Sequence, residues 1–161
     1  MDNTTRLTLQ TVVRLLDDVT GQPGEASWRA KVERTGPNDQ TALRLLVMSI
    51  ELKIADVQAA HEAVSTRLLG TGTPAAAAPA GNFAIVKKPS LSHSEKRAIE
   101  SALINYSQQM GQFSSQTAQI NSALARREFA GWASAASIID AWTSSMRQLS
   151  ADLQTILGKA R

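Results

Sequence analysis

The chain has 161 residues, of which 43% are hydrophobic but only 4% aromatic, and its formal net charge is +3. That length fits one domain, with a core large enough to need no disulfide or metal. Since there is no cysteine, disulfides, thiolate nucleophiles and cysteine-bound zinc are excluded. Scarce aromatics favour a helical interior of Leu, Ile, Val and Ala over a β sandwich.

The N-terminal segment, residues 1–38, is predicted to hold a short helix followed by irregular chain. A helix over about residues 4–19 is indicated by apolar residues that step by three, four and three. These are Leu9, Val12, Leu16 and Val19. An alternation of apolar and polar residues in the same stretch, with Leu7, Leu9, Val13 and Leu15 as the apolar members, also fits a strand. After a Gly- and Pro-rich break, Trp28, Ala30 and Val32 alternate with charged residues, which fits either a short strand or one or two helical turns.

A long helix is predicted over residues 39–69 from a seam, by which we mean a row of residues at alternating spacings of four and three. The seam consists of Leu43, Val47, Ile50, Ile54, Val57, His61, Val64 and Leu68. Such spacing keeps one stripe against a partner helix for many turns. Asn38 and Asp39 can cap the first turn, and Gly70 suits the end of the helix.

Residues 70–93 are predicted to link the long helices. Residues 71–81 read TGTPAAAAPAG and have the composition of a linker. The piece that follows, residues 82–89, contains Phe83, Ile85 and Val86 and is predicted as a short strand against the Trp28 segment.

Residues 94–157 are predicted to form one long helix or a helical hairpin. Ser92 and Glu95 form a capping-box pattern that sets its start. Two further seams follow: Ile99, Leu103, Tyr106, Met110, Phe113, Thr117, Ile120 and Leu124, then Ala135, Ile139, Trp142, Met146, Leu149, Leu153 and Ile156. Glycine inside a helix costs only about 1 kcal/mol. The helix could therefore continue through Gly131 or turn back at residues 129–131, and a compact domain favours the turn.

The residues that usually carry chemistry are few. His61 falls on a seam position, where a packed polar residue is expected, with a metal ligand or proton switch as the alternative. His93 has no partner at the spacing of a helical metal site. Asp17 and Asp18 are adjacent, so they point to different sides of a helix and indicate a solvated helix end, and no phosphate-binding glycine motif is present. We therefore predict no enzyme, no catalytic, cofactor-binding or metal site, and no cofactor.

Charge and hydropathy restrict the partners and the location. Basic residues occur in the second half as dispersed pairs, such as Arg126 and Arg127, which are typical of a solvated helix face and leave nucleic-acid binding as an alternative. No apolar run reaches the roughly 18 residues of a membrane span. Residues 1–9 lack the basic and apolar blocks of a cleaved signal, so we expect a cytoplasmic protein or one exported without such a signal.

The fold class predicted is all-α. We expect an elongated helical bundle or coiled-coil hairpin, with three long helices, a short N-terminal helix and, optionally, a minor two-stranded β element, over a single domain of residues 1–161. Small residues follow Gly131, flanked by Trp132 and Trp142, and would let another backbone approach closely. Core packing between helices of one bundle is the preferred interpretation of these aromatic residues, with an anchor for another molecule as the alternative. The predicted interface comprises Leu43, Val47, Ile50, Ile54, Val57, Ile99, Leu103, Ile120, Leu124, Trp132, Trp142, Leu149 and Leu153.

These features predict a non-enzymatic helical assembly subunit that forms a homo-oligomer or joins a larger complex. In its lack of cysteine, few aromatics and long C-terminal seam, the chain resembles the helical secreted proteins of bacterial type III secretion systems, including needle and sheath-filament subunits. The resemblance covers mainly residues 39–69 and 94–157 and implies a secreted or filament-forming component. The alternatives are a helical subunit of a ribonucleoprotein complex and a small immunity bundle that blocks a toxin.

Overall fold

The computed structural model describes residues 1–21, 26–69, 83 and 85–159, and within them it confirms the all-α class. The helices are α1 (Asn3–Thr20), α2 (Trp28–Thr35), α3 (Gln40–Val64), α4 (His93–Gln109), α5 (Phe113–Arg126) and α6 (Phe129–Lys159). A π-helical turn, Ser65–Leu69, extends α3, and a 3₁₀ turn, Ile85–Lys87, precedes α4. These described ranges contain no strand.

The predicted N-terminal helix is confirmed as α1, whose first turn is capped by Asp2 through a 2.8 Å bond from the Thr5 amide. The predicted pairing of two short strands is wrong. Trp28 begins helix α2, and Ile85–Lys87 forms a 3₁₀ turn. The alternating pattern over α2 is too short to distinguish one helical face from a strand. The helix is capped by Ser27, which accepts a bond from the Ala30 amide, and by Asp140 of α6, which accepts bonds from the Trp28 and Arg29 amides.

The helix predicted over residues 39–69 is confirmed as α3 with its π-helical extension. The Asp39 carboxylate accepts a 3.0 Å bond from the Ala42 amide at its start, as the sequence predicts. The expected helix end at Gly70 and the linker over residues 71–81 lie outside the described residues.

Residues 93–159 form a helical hairpin with one bent arm. The capping box at Ser92 and Glu95 is confirmed, with bonds of 2.9 and 3.2 Å in the two directions. The first arm bends at residues 110–112, between α4 and α5, which the seam pattern did not predict. The chain reverses at Arg127, the one described non-glycine residue with a positive φ, so the turn comes just before the predicted residues 129–131.

Gly131 therefore lies inside α6, where it allows α5 and α6 to approach closely. A Cβ atom at this position would lie 3.2 Å from the carbonyl oxygen of Ala123 on α5. The first arm runs back along α6, because Gln116 on α5 bonds Trp142 at 2.7 Å and α4 faces the C-terminal turns of α6. The 31 residues of α6 thus match the combined 17 and 14 residues of α4 and α5.

Helix α6 is the centre of the fold, since α1, α2, α3, α4 and α5 all pack on it. Its buried residues form a broad stripe from Trp132 to Ile156, while a row of small and polar residues that includes Ser144, Gln148 and Thr155 stays exposed. Polar contacts fix the register of α1 on α6: Asp17 accepts a 2.5 Å bond from Ser150, and Arg147 donates to the Thr20 carbonyl at 2.9 Å. All six helices contribute to one hydrophobic core.

Candidate interaction surface on helix α3

The predicted interface residues lie almost entirely inside the chain's own core. Val47 is half-buried, and the other members are buried against helices of the same chain. Ile54 and Leu153, for example, face the interior. A side chain in such a position cannot reach a second molecule unless the bundle opens, so association has to use other residues.

A second apolar row on α3 remains exposed, and we call it the α3 stripe: Leu45, Met48 and Leu52. Their exposed fractions are 63%, 60% and 69%. The spacing of three and four places them on one face, opposite the buried residues of the same helix. Exposed Thr41, Ala55 and Ala59 continue the same spacing in both directions. The stripe therefore has the period of a coiled-coil seam, and none of the helices in the described part of the chain covers it.

A groove of about 770 Å³ lies beside the stripe, between α3, the end of α5 and the start of α6. Its apolar lining includes Val47, Leu124 and Trp132, and Met48 belongs to both the stripe and the groove. The Trp132 indole N–H is buried and has no hydrogen-bond partner among the described residues. Stripe and groove adjoin at Met48, in the N-terminal half of α3, and the groove combines these apolar residues with polar and charged ones such as Gln40 and Asn121.

Charged side chains stand on the edge of this surface. Arg44 and Glu51 lie one heptad apart, both exposed and both lining the groove, with Arg127 on its opposite side. Within the described residues, no ion pair of 4.0 Å or less involves Arg44 or Glu51. Their charges are therefore available to groups from outside the chain.

The histidine on the first seam belongs to a buried aromatic cluster. His61 Nδ1 lies 2.5 Å from the Tyr106 hydroxyl, and its ring packs on Phe113, which in turn packs on Trp142. Burial raises the pKa of Tyr106 far above its usual range. Since these rings are buried among α3, α4, α5 and α6, the cluster ties the helices together and offers no surface to a substrate.

A second groove, of about 880 Å³, lies between α4 and the C-terminal turns of α6. Glu95 lines it, with the Met1 amine 3.8 Å from one carboxylate oxygen and the Ser92 amide bonded to the same oxygen. The bond from the Ser92 amide holds the pKa of Glu95 below its usual range. The exposed members of the lining are mostly Ser, Thr, Asn and Gln, and its large apolar members, such as Ile104 and Ile156, are half-buried or buried, so no row of exposed apolar anchors is present in this groove.

The sequence contains a signal for the α3 stripe that the predicted interface does not include. Residues 41–59 repeat the same four and three spacing two residues before the predicted seam. Of the two rows, the one with more branched aliphatic residues became the core, which left the row with Leu45, Met48 and Leu52 outside. Which of the two rows is buried depends on the packing of the folded chain, and the hydrophobic pattern alone does not determine it.

Comparisons with known proteins place no further restriction on the function: no family model matches the chain, and no curated protein or solved structure resembles it. Across the described ranges, no helix has the length and hydropathy that crossing a membrane requires. No group of three or more His, Asp or Glu side chains in the same ranges is arranged to hold a metal ion.

Proposed function

We propose that this protein is a non-enzymatic assembly subunit that self-associates by binding an α-helix of another copy along the α3 stripe. The observation that carries the proposal is the exposure of Leu45, Met48 and Leu52 at heptad spacing on a helix whose other face is fully used by the core. Single exposed apolar residues are ordinary on protein surfaces, but three in one row beside a groove with apolar residues in its lining are typical of an interaction site.

The apolar area of the α3 stripe indicates how much of the neighbouring groove a partner helix also has to cover. Burying the exposed part of each stripe residue is worth about 1–2 kcal/mol, whereas association costs at least about 4 kcal/mol. Burial of the three stripe residues alone therefore barely offsets the free-energy cost of association. A partner helix that also covers the groove beside Val47 and Met48 adds the remaining apolar area.

The secreted filament form of this proposal needs two different complementary surfaces, because a filament grows by head-to-tail contacts. The α3 stripe is the one row of large exposed apolar residues among those the structure describes. A single stripe favours a closed, discrete complex over a filament, and we propose that the subunit works in this discrete form.

The placement of the basic pairs does not favour the nucleic-acid alternative. Lys96 and Arg97 belong to the start of α4, which faces the C-terminal end of α6, while Arg126 and Arg127 lie beside the N-terminal end of α6. At 1.5 Å per residue, the length of α6 separates these pairs by roughly 45 Å. Charges this dispersed do not form the dense stripe that follows a phosphate backbone.

The test compares two leucines of similar exposure. Leu52→Asp places a charge in the stripe, and Leu7→Asp makes the same change at a 61% exposed position on α1. Size exclusion with light scattering should show a complex for the wild type and for Leu7→Asp, but a monomer for Leu52→Asp. Circular dichroism should show unchanged helicity in both variants. A wild-type chain that remains monomeric at high concentration overturns the proposal.

A further inference from the structure

We infer that the helix bound by the α3 stripe is α3 of a second copy, paired antiparallel, with Arg44 of each chain against the partner's Glu51. The inference rests on the proposed function and specifies its partner and geometry. Its basis is the position of the two charges beside the stripe, because flanking charges set orientation and register in paired helices.

The heptad positions follow from the stripe itself. Leu45 and Leu52 occupy position a and Met48 occupies position d. Arg44 and Glu51 then fall at position g, on the groove side. On the other side, Ser49 and Asp56 fall at position e, and both are exposed.

Parallel pairing of two such helices would be disfavoured by these charges. In a parallel pair, position g of one helix faces position e of the other, in the following heptad. Glu51 would then face the partner's Asp56, and Arg44 would face the partner's Ser49. The pair would contain two like-charge contacts and no compensating attraction.

Antiparallel pairing brings position g of one helix against position g of the other. When Leu45 packs beside the partner's Met48, Arg44 faces the partner's Glu51, and the two-fold symmetry repeats this contact farther along the same flank of the pair. Sliding the helices by one heptad would instead pack Met48 beside the partner's Leu52 and set Glu51 against the partner's Glu51. The charges therefore select the first register.

The rest of the groove edge agrees with this register. Arg127 lines the same groove as Arg44, so the partner's Glu51 enters a region with two exposed guanidinium groups. A contact related by a two-fold axis uses the same patch on both copies and closes at the dimer. The whole α3 stripe is then buried in the interface with one partner.

Charge reversal tests the pairing directly. Arg44→Glu alone and Glu51→Arg alone should each weaken the homodimer by at least about tenfold, because each sets like charges together twice. Mixing the two variants should give a heterodimer of near wild-type affinity, since every g contact is again opposite in sign. Glu62→Arg, an exposed reversal on α3 beyond the overlap, is the matched control and should leave the dimer unchanged.

The absence of cysteine makes disulfide mapping unambiguous. Leu45→Cys and Met48→Cys chains, mixed in equal amounts and oxidised with oxidised glutathione, should give mainly the mixed disulfide between positions 45 and 48. Mainly same-residue disulfides, or no preference for the charge-reversed heterodimer, would overturn the antiparallel register. If Leu52→Asp still abolishes the dimer in that case, the proposed function survives without this geometry. A monomeric wild type would overturn both.

Discussion

The two longest helices of the protein, α6 and α3, have similar apolar content but very different surroundings. Helix α6 is covered by all five other helices, so its apolar residues are accounted for by the chain itself. Helix α3 packs on α1, α2 and α6 with one face and leaves Leu45, Met48 and Leu52 exposed on the other. An apolar row on a helix therefore indicates a contact, but it does not say whether the contact lies within the chain or beyond it.

The largest expected effect separates a core leucine of α6 from a stripe leucine of α3. Leu153→Ala should lower the free energy of unfolding by about 2–5 kcal/mol, because it removes buried contacts and leaves a cavity. Leu52→Ala should change the stability of the monomer by less than about 0.5 kcal/mol. Urea unfolding at low protein concentration measures both. Equal losses for the two variants would mean that the α3 stripe is covered within the monomer.

A second prediction tests how closely α6 is packed. Gly131→Leu should destabilise the fold by about 1–3 kcal/mol, because its Cβ atom would press on the Ala123 carbonyl of α5. The matched control is Gly158→Leu in the last turn of α6, where an added Cβ meets nothing within 4 Å. Thermal unfolding should show a loss for the first variant and no loss for the second, since leucine is the better helix former.

The third prediction concerns the attachment of α2 to α6. The Asp140 carboxylate on α6 accepts bonds of 2.8 and 3.0 Å from the amides of Trp28 and Arg29, and so caps the start of α2. Asp140→Ala should cost about 1–2 kcal/mol, because the free amides of a first helical turn lose their acceptor.

Asp152→Ala is the control for that cap. Its carboxylate lies on the same helix but accepts an exposed bond from Gln148, within α6, so its loss should cost a few tenths of a kcal/mol. Hydrogen exchange should show faster exchange over α2 in Asp140→Ala alone. Unchanged protection of α2 would show that the apolar contacts of Val32 hold this helix without the cap.

Local signals in the sequence were sufficient to predict where several helices begin. The caps at Asp39 and Ser92 involve residues three positions apart, so their hydrogen bonds can be predicted from the chain alone. The bend between α4 and α5 could not be predicted in this way. Met110 and Phe113 keep the seam spacing across it, and the hydrophobic pattern is therefore the same with or without the bend.

The remaining differences arise from contacts between residues far apart in sequence. Ser27 caps α2 locally by accepting a 3.1 Å bond from the Ala30 amide, but Asp140 binds the first two amides of this helix from 112 and 111 positions away, and that contact cannot be predicted from the residues around Trp28. The choice between the two rows on α3 depends likewise on which neighbours α1, α2 and α6 present. The candidate site is therefore predictable as a type of surface, a heptad row on a helix, whereas its residues follow only from the packing.

The smallest expected effect concerns the start of α4, the helix that covers the C-terminal half of α6. The bond from the Ser92 amide lowers the pKa of Glu95 from its ordinary 4.5, so this carboxylate stabilises the fold when charged. That contribution is complete above the unfolded-state pKa and is lost as the pH falls through the lower folded-state pKa.

Glu95→Gln keeps an acceptor for the Ser92 amide but removes the titration. The variant should lose a few tenths of a kcal/mol at neutral pH and should show a weaker decline in stability between about pH 5 and pH 3 than the wild type. Part of the decline should remain, because bonds from Thr5 lower the pKa of Asp2, at the start of α1, in the same direction. An identical acid dependence in variant and wild type would show that Glu95 does not couple protonation to the docking of α4 on α6, and that the apolar contacts of Ile99 and Leu103 hold this side of α6 on their own.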